Sequence, residues 1–117
     1  MPMWQSAGFR WRGIASSEVA RFDIFEYPPI GGYLLDVQCD YLSRLSTRVV
    51  VPLQPEGEAP PPARDLNPVF QIAGAGYVML TQYMAAVSES ELKRHAGSLV
   101  EEQDRIVKAI DMIFSGF

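Results

Sequence analysis

Hydrophobic residues change their spacing once along the chain, near Ser88, and this change limits the possible fold more than any other feature. Before Ser88, short apolar runs are separated by proline- and glycine-rich turns, as is typical of β-strands. After it, apolar residues recur three or four positions apart, as in an amphipathic helix. Five short strands without intervening helices, followed by one helix, predict a mainly β member of the α+β class, with an antiparallel sheet or small barrel.

The first two strands and the turn between them form a clear pattern. The run RFDIFEY, residues 21–27, is rich in aromatic residues, and its alternation slips between Ile24 and Phe25, as at a β-bulge. Residues 28–32, PPIGG, predict a turn, because proline presets φ and glycine frees it. Residues 33–38, YLLDVQ, then alternate well and predict the second strand.

The middle of the sequence predicts a third strand, a long loop and a hairpin. RVVVPL, residues 48–53, is a β-branched run that we expect to end at Pro52. Residues 54–68 contain five prolines, so a surface loop is expected there. VFQIA and YVMLTQ predict a hairpin joined through residues 74–76, and YMAAV adds a further short strand.

Two serine–glutamate pairs predict helix starts after the strands. SESE, residues 88–91, and SLVE, residues 98–101, each match a capping box. Because Gly97 precedes the second pair, the main helix is predicted over residues 99–114, and Gly116 is a candidate C-cap. The apolar residues of this helix form one row with flanking positions, and Phe114 is expected to close the core side of it: Leu99, Val100, Ile106, Val107, Ile110, Ile113 and Phe114.

The composition indicates one soluble domain in a reducing compartment. The chain has 117 residues and a net charge of −4, which argues against unaided binding of nucleic-acid phosphates. No apolar stretch approaches the roughly 18 residues of a membrane helix, and no compact signal-peptide core is recognisable. Cys39 is the single cysteine and cannot form an internal disulfide, so we expect a cytoplasmic protein.

Residues with catalytic or metal-binding chemistry are few and scattered. His95, the single histidine, lies in a polar stretch and is predicted to be a surface residue without zinc-ligand neighbours. Cys39 is predicted to be a small buried residue rather than a nucleophile. The spacing of Asp36, Asp40 and Asp65 favours solvated turn residues over a carboxylate site. The sequence therefore predicts a binding protein without catalytic residues, cofactor or metal.

Residues 1–20 differ from the rest of the sequence. They contain both tryptophans, Trp4 and Trp11, few charges and no clear hydrophobic period. We expect a flexible N-terminal extension, with a docking arm as the alternative because exposed indole rings are unfavourable in water. Residues 21–117 are expected to form the single folded domain.

Five segments, in this order and spacing, resemble the CcdB family: LDVQCD (35–40), RVVVPL (48–53), LNPVFQI (66–72), MLTQYMAAV (79–87) and IVKAIDMIFSGF (106–117). The resemblance covers residues 21–117. It implies an SH3-like, five-stranded antiparallel core with a long C-terminal helix, as in the related MazF and Kid toxins, and a homodimer. Residues 1–20 have no counterpart in the family, which favours a flexible leader; an upstream start codon, with Val19 as the true initiation site, is another origin for them.

The resemblance also implies a function that needs no catalytic residue. CcdB toxins bind the A subunit of DNA gyrase and trap the enzyme with its DNA cleaved. A cognate CcdA-like antitoxin wraps the toxin, neutralises it and co-represses the operon. DNA contact is then only indirect, through the antitoxin or gyrase, and the acidic charge of this chain agrees with a protein ligand.

The gyrase-binding surface of the family maps onto the helix end and onto a segment after the second strand: Tyr41, Leu42, Asp111, Phe114, Ser115, Gly116 and Phe117. The family tail typically reads Trp-Gly-Ile after a phenylalanine, whereas this chain has Ser115 in place of the tryptophan that stacks on a gyrase arginine. Loss of such a cation–π contact weakens binding by on the order of 2 kcal/mol, a factor of roughly 30. We expect Phe117 to recover part of this loss.

Two alternatives are open. A protein of this fold can keep antitoxin binding and operon repression without poisoning gyrase. An endoribonuclease of the MazF type needs a basic groove with general acid and base groups, and the sequence does not indicate one.

Overall fold

Seven antiparallel strands and one C-terminal helix make up the described part of the chain, residues 19–42 and 44–116, in this computed structural model. The elements are β1 (Asp23–Tyr27), β2 (Gly32–Asp36), β3 (Thr47–Pro55), β4 (Val69–Ile72), β5 (Ala75–Met79), β6 (Ala85–Ser88), β7 (His95–Ser98) and α1 (Gln103–Ser115). Single 3-10 turns connect several of them. The predicted mainly β fold with a C-terminal helix is confirmed, with seven strands in the described residues instead of five.

Strand β3 is the centre of the sheet. The strand order is β4-β5-β3-β2-β1-β7, and β6 pairs separately with β3. Along its length β3 pairs with β6 through residues 47–50 and with β5 through residues 53–55, while β2 lies on its other side. The strand therefore changes partners near Pro52.

Pro52 lies inside β3, so the prediction that the strand ends there is wrong. The carbonyl of Pro52 accepts a hydrogen bond from the N–H of Leu80, at 2.9 Å. In a strand, the N–H and C=O of one residue point to the same side. Pro52 therefore lacks its N–H on the edge of β3 that faces β6 and β5, at a position between the stretches that these two strands pair with. No strand-to-strand hydrogen bond is lost there.

The first hairpin and its bulge agree with the sequence. The register of β1 against β7 shifts between Ile24 and Phe25, which confirms the predicted bulge. The turn contains the 3-10 segment Pro28–Ile30 and ends at Gly31, whose φ of 66° is in the left-handed region. Strand β7 was not predicted, because its sequence HAGS has small and polar residues and gains strand structure only by pairing with β1.

The second hairpin turns one residue earlier than predicted. Ile72 pairs with Ala75, so the two-residue loop is Ala73 and Gly74, and both have positive φ, at 52° and 84°. Such a loop has the twist of a type I′ hairpin. Gly76, predicted to lie in the turn, belongs to β5.

The helix begins later than predicted, at Gln103 instead of Leu99, because a 3-10 turn occupies Val100–Glu102. The hydroxyl of Ser98 accepts a hydrogen bond from the N–H of Val100 at 3.2 Å, but the N-cap position of the turn is Leu99 and that of the helix is Glu102, so Ser98 caps neither. The C-cap prediction is confirmed: Gly116 has a φ of 76°, and its N–H donates to the carbonyl of Met112 at 3.0 Å.

Two hydrophobic clusters stabilise the sheet. The larger lies between the sheet and α1, which buries Ile106 and Ala109 against it. The smaller contains Phe25, Leu34, Val50 and Leu92, with Val19 packed against it. In the part of the chain that the structure describes, no helix has the length and apolar character needed to cross a membrane. Residues 1–18 lie outside the described residues, so the predicted N-terminal extension stays a prediction.

Candidate partner-binding surface

A buried ion pair lies under the loop that joins β2 to β3. The Nε of Arg48 donates to Oδ2 of Asp36 at 2.7 Å, and its Nη2 donates to Oδ1 at 3.0 Å. Both side chains are at most 1% exposed. The prediction that Asp36 is a solvated turn residue is therefore wrong, because a cation twelve positions away neutralises it within the sheet.

Burial and the ion pair shift the pKa values of Asp36 and Arg48 in opposite directions. Burial raises the pKa of the Asp36 carboxyl, and the hydrogen bonds and charge of Arg48 offset this only in part. Burial by itself would lower the pKa of Arg48, but the hydrogen bonds and charge of Asp36, together with the charges of Asp40 and Glu89, outweigh burial and raise that pKa. Arg48 therefore stays a cation, and the bidentate geometry holds the carboxylate against it.

Gln38 connects the ion pair to the loop. Its backbone N–H donates to Oδ1 of Asp36 at 2.9 Å. Its side-chain Nε2 donates to the carbonyl of Leu42 at 3.0 Å, and its Oε1 accepts from the N–H of Val49 at 3.1 Å. Gln38 thus links the carbonyl of Leu42 to Val49 in β3.

Asp40 is a second anchor of the same loop. Its Oδ1 accepts a hydrogen bond from the N–H of Arg21 at 2.9 Å and lies 3.9 Å from Nη2 of Arg48. The carboxylate is 64% exposed, so it stands at the edge of the buried pair and faces solvent. Cys39, next to it, is exposed, and the prediction that it is buried is wrong.

The loop presents large apolar side chains to solvent. Tyr41 is 95% exposed, Leu42 is 48% exposed and Leu45 is 50% exposed. Tyr41 and Leu42 were among the predicted contact residues, and both are accessible. Leu45 was not predicted; the signal in the sequence is an apolar residue inside a polar, turn-rich stretch between two strands.

The helix end presents a second exposed surface. Phe114 is 74% exposed, so the prediction that it closes the core row of the helix is wrong. Asp111, Ser115 and Gly116 are also exposed. Phe117 lies outside the described residues, and its contribution stays a prediction.

An open groove of about 470 Å³ follows one side of the helix: it is lined by Asp104, Val107, Lys108, Asp111 and Ser115. The ammonium of Lys108 lies 3.6 Å from Oδ1 of Asp65, on the proline-rich loop. Two predicted contact residues, Asp111 and Ser115, thus share one groove with a mixed polar and apolar lining.

The predicted contact residues lie on two different elements of the chain, the loop after β2 and the end of α1. The helix packs against the 3-10 turn Thr81–Tyr83. Among the described residues, no extensive contact joins the helix to the turn Asp40–Leu42. The predicted contact residues thus come from two elements, the turn after β2 and the end of α1, and those that the structure describes are exposed.

His95 is largely buried, so the prediction of a surface histidine is wrong. Its side chain is 16% exposed, and its Nε2 lies 3.4 Å from Oδ2 of the buried Asp23. Its ring meets that of Phe25 edge to face, with centroids 5.4 Å apart. Across residues 19–42 and 44–116, no group of three or more His, Cys, Asp or Glu side chains is placed to hold a metal ion.

Comparisons with known proteins identify both a family and a fold. The family model of the CcdB protein matches residues 21–116, most of the chain. Among solved structures, the chain is similar to one described as an endoribonuclease from Mycobacterial species, with a TM-score of 0.65 and 14% identity, over 87% of this chain and 95% of that one. At this identity the likeness shows a shared fold. A search of curated proteins found no match.

Proposed function

This chain belongs to the CcdB family of toxins from toxin–antitoxin modules, and we propose that it poisons DNA gyrase. It binds the A subunit and traps the complex in which gyrase has cut its DNA. The activity is one of binding, because the toxin holds an intermediate of another enzyme and needs no catalytic group of its own.

The exposed ring of Phe114 is the observation that carries this proposal. A phenylalanine that is 74% exposed at the end of a helix does not stabilise the isolated fold. Buried against a partner, the same ring would contribute about 2 to 3 kcal/mol. It lies in the part of the helix where the family resemblance puts the gyrase contact.

Ser115 sets the strength of the proposed complex. The family tryptophan is missing, and a serine cannot stack on an arginine side chain. Phe114 supplies an aromatic ring one position earlier, and Phe117 is proposed to supply another two positions later. Asp111, exposed one turn before Phe114 and Ser115, adds a carboxylate for a cationic partner side chain.

The remaining partners follow from the same proposal. A CcdA-like antitoxin neutralises the toxin in the cytoplasm, and the pair represses its own operon. The toxin acts as a homodimer and meets DNA only through the antitoxin or gyrase. Its net charge of −4 supports this indirect contact.

The test is expression in a host with sensitive gyrase. Growth arrest together with gyrase–DNA cleavage complexes is expected, and Ser115→Trp should raise the potency by roughly 30-fold. Arrest without cleavage complexes would remove gyrase as the target. Tight binding of an antitoxin peptide, with gyrase untouched in a pull-down, would instead identify a protein that serves only in repression.

An endoribonuclease is the second candidate, favoured by the fold shared with the mycobacterial protein. His95 is the single histidine and the first choice for general acid–base chemistry, but its 16% exposure and its packing against Phe25 count against this candidate. Primer extension on total RNA after induction decides the matter. Discrete cuts would favour the ribonuclease, and their absence would exclude it.

A further inference from the structure

Leu45 lies beside Tyr41 and Leu42 in the loop between β2 and β3. Its N–H donates to the carbonyl of Leu42 at 3.1 Å, and the N–H of Leu42 donates to the carbonyl of Cys39 at 2.9 Å. Each bond closes a four-residue turn, so the Cα atoms of Leu42 and Leu45 lie within about 7 Å of each other. Leu45 therefore belongs to the same surface patch as the two predicted contact residues.

The fold of the single chain gives the Leu45 side chain no packing role. Neither hydrophobic cluster of the described residues includes Tyr41, Leu42 or Leu45. The loop is held by polar contacts instead, since Gln38 binds the carbonyl of Leu42, and the N–H of Glu89 donates to the carbonyl of Ser46 at 2.8 Å. Leu42 and Ser46, anchored in this way, lose little further conformational freedom when a partner covers them.

The charges around the patch are those of an interface rim. Asp40, which precedes Tyr41 in the sequence, has 64% of its side chain exposed, and Arg44, which precedes Leu45, is also exposed. An apolar centre with a polar rim of mixed sign is the usual anatomy of a protein-binding surface. The occupant it fits is an apolar protein surface, not a nucleic acid, because the exposed side chains do not supply a row of cations.

We propose that Leu45 is a third contact of the loop with the gyrase A subunit. This inference rests on the proposed function and extends it: the loop patch is made of Tyr41, Leu42 and Leu45, and it binds an apolar part of the target.

The test compares polar substitutions of Leu45 in the purified full chain. The assay measures the toxin concentration that gives half-maximal gyrase cleavage of supercoiled plasmid. The variants are Leu45→Ser and Leu45→Gln, with Leu45→Met as the apolar replacement and Val100→Ser as the matched control. Val100 is a comparably exposed aliphatic residue, at 41%, in the turn before the helix and outside both proposed surfaces.

Leu45→Ser and Leu45→Gln should each need about 10-fold more toxin, whereas Leu45→Met stays within about threefold of the unaltered chain. Val100→Ser should match the unaltered chain, and all four variants should unfold at the same urea concentration. Full potency of either polar variant overturns the inference, and so does an equal loss with Val100→Ser. If the unaltered chain forms no cleavage complexes, the proposed function itself fails, and the assignment of Leu45 falls with it.

Discussion

Replacing Arg48 with methionine should destabilise the domain strongly. The substitution keeps much of the buried aliphatic stem but leaves the carboxylate of Asp36 in the sheet without its cation. Removing one partner of such a buried pair costs about 3 to 5 kcal/mol. A chain of this size has a total stability of about 5 to 15 kcal/mol, so the loss is a large share of it.

The measurement is urea unfolding followed by circular dichroism, as a double-mutant cycle. Asp36→Asn keeps an acceptor for the N–H of Gln38 while it removes the charge. The double variant Asp36→Asn/Arg48→Met should therefore lose at least about 2 kcal/mol less than the sum of the two single variants. Lys108→Met is the control, because that exposed pair with Asp65 should contribute at most about 1 kcal/mol.

Two results would refute the reasoning. A loss below about 1 kcal/mol for Arg48→Met would mean that the pair does not stabilise the sheet as its geometry indicates. Strict additivity in the cycle would mean that Asp36 and Arg48 act independently, in spite of the 2.7 Å hydrogen bond between them.

Two further predictions concern the helix and the sheet. Phe114→Ala should change the free energy of unfolding by less than about 0.5 kcal/mol because the ring is exposed, whereas Ile106→Ala, at 0% exposure, should cost about 2 to 5 kcal/mol. The same Phe114→Ala variant should weaken gyrase binding at least about 10-fold, and equal affinity in a titration would contradict its role. Burial, helped by the charge and hydrogen bond of Tyr77, raises the pKa of Tyr33 to about 12. Because this folded-state pKa exceeds the unfolded value of 10.0, stability is fully present below pH 10 and lost as the pH rises through 12. Tyr33→Phe should reduce that loss, and an unchanged pH profile would contradict the assignment.

The local sequence pattern predicts the first hairpin well. The prolines and glycines of PPIGG predict the turn, and the interrupted alternation at Ile24 and Phe25 predicts the bulge. Both signals are local, so they can be recognised without knowing which strand pairs with this segment. Strand β7 is different, since Gly97 and its small neighbours have weak strand preference and become a strand only against β1. The prediction that β3 ends at Pro52 was wrong for a related reason. The strand accommodates a proline there because it changes its pairing partner from β6 to β5 at that point, and only the folded sheet shows this change.

The candidate site depends even more on long-range structure. Nothing near Asp36 in the sequence indicates that Arg48 buries and neutralises it. The apolar row of the helix predicts a buried Phe114, but burial fades along the helix: Ile106 is fully buried, whereas Phe114 is 74% exposed. Tyr41 and Leu42 were predicted through the family resemblance alone, and their exposure could be read only from the structure.

The most direct test of the proposed function is a cleavage assay with purified components. Gyrase, supercoiled plasmid and ATP are incubated with the unaltered full chain, and linear DNA is measured after detergent and protease treatment. We expect linear DNA to increase with toxin concentration, and to stay absent when gyrase is left out. No increase at any concentration, with gyrase that responds to a known poison in the same assay, would contradict the proposal that this CcdB-family chain poisons gyrase.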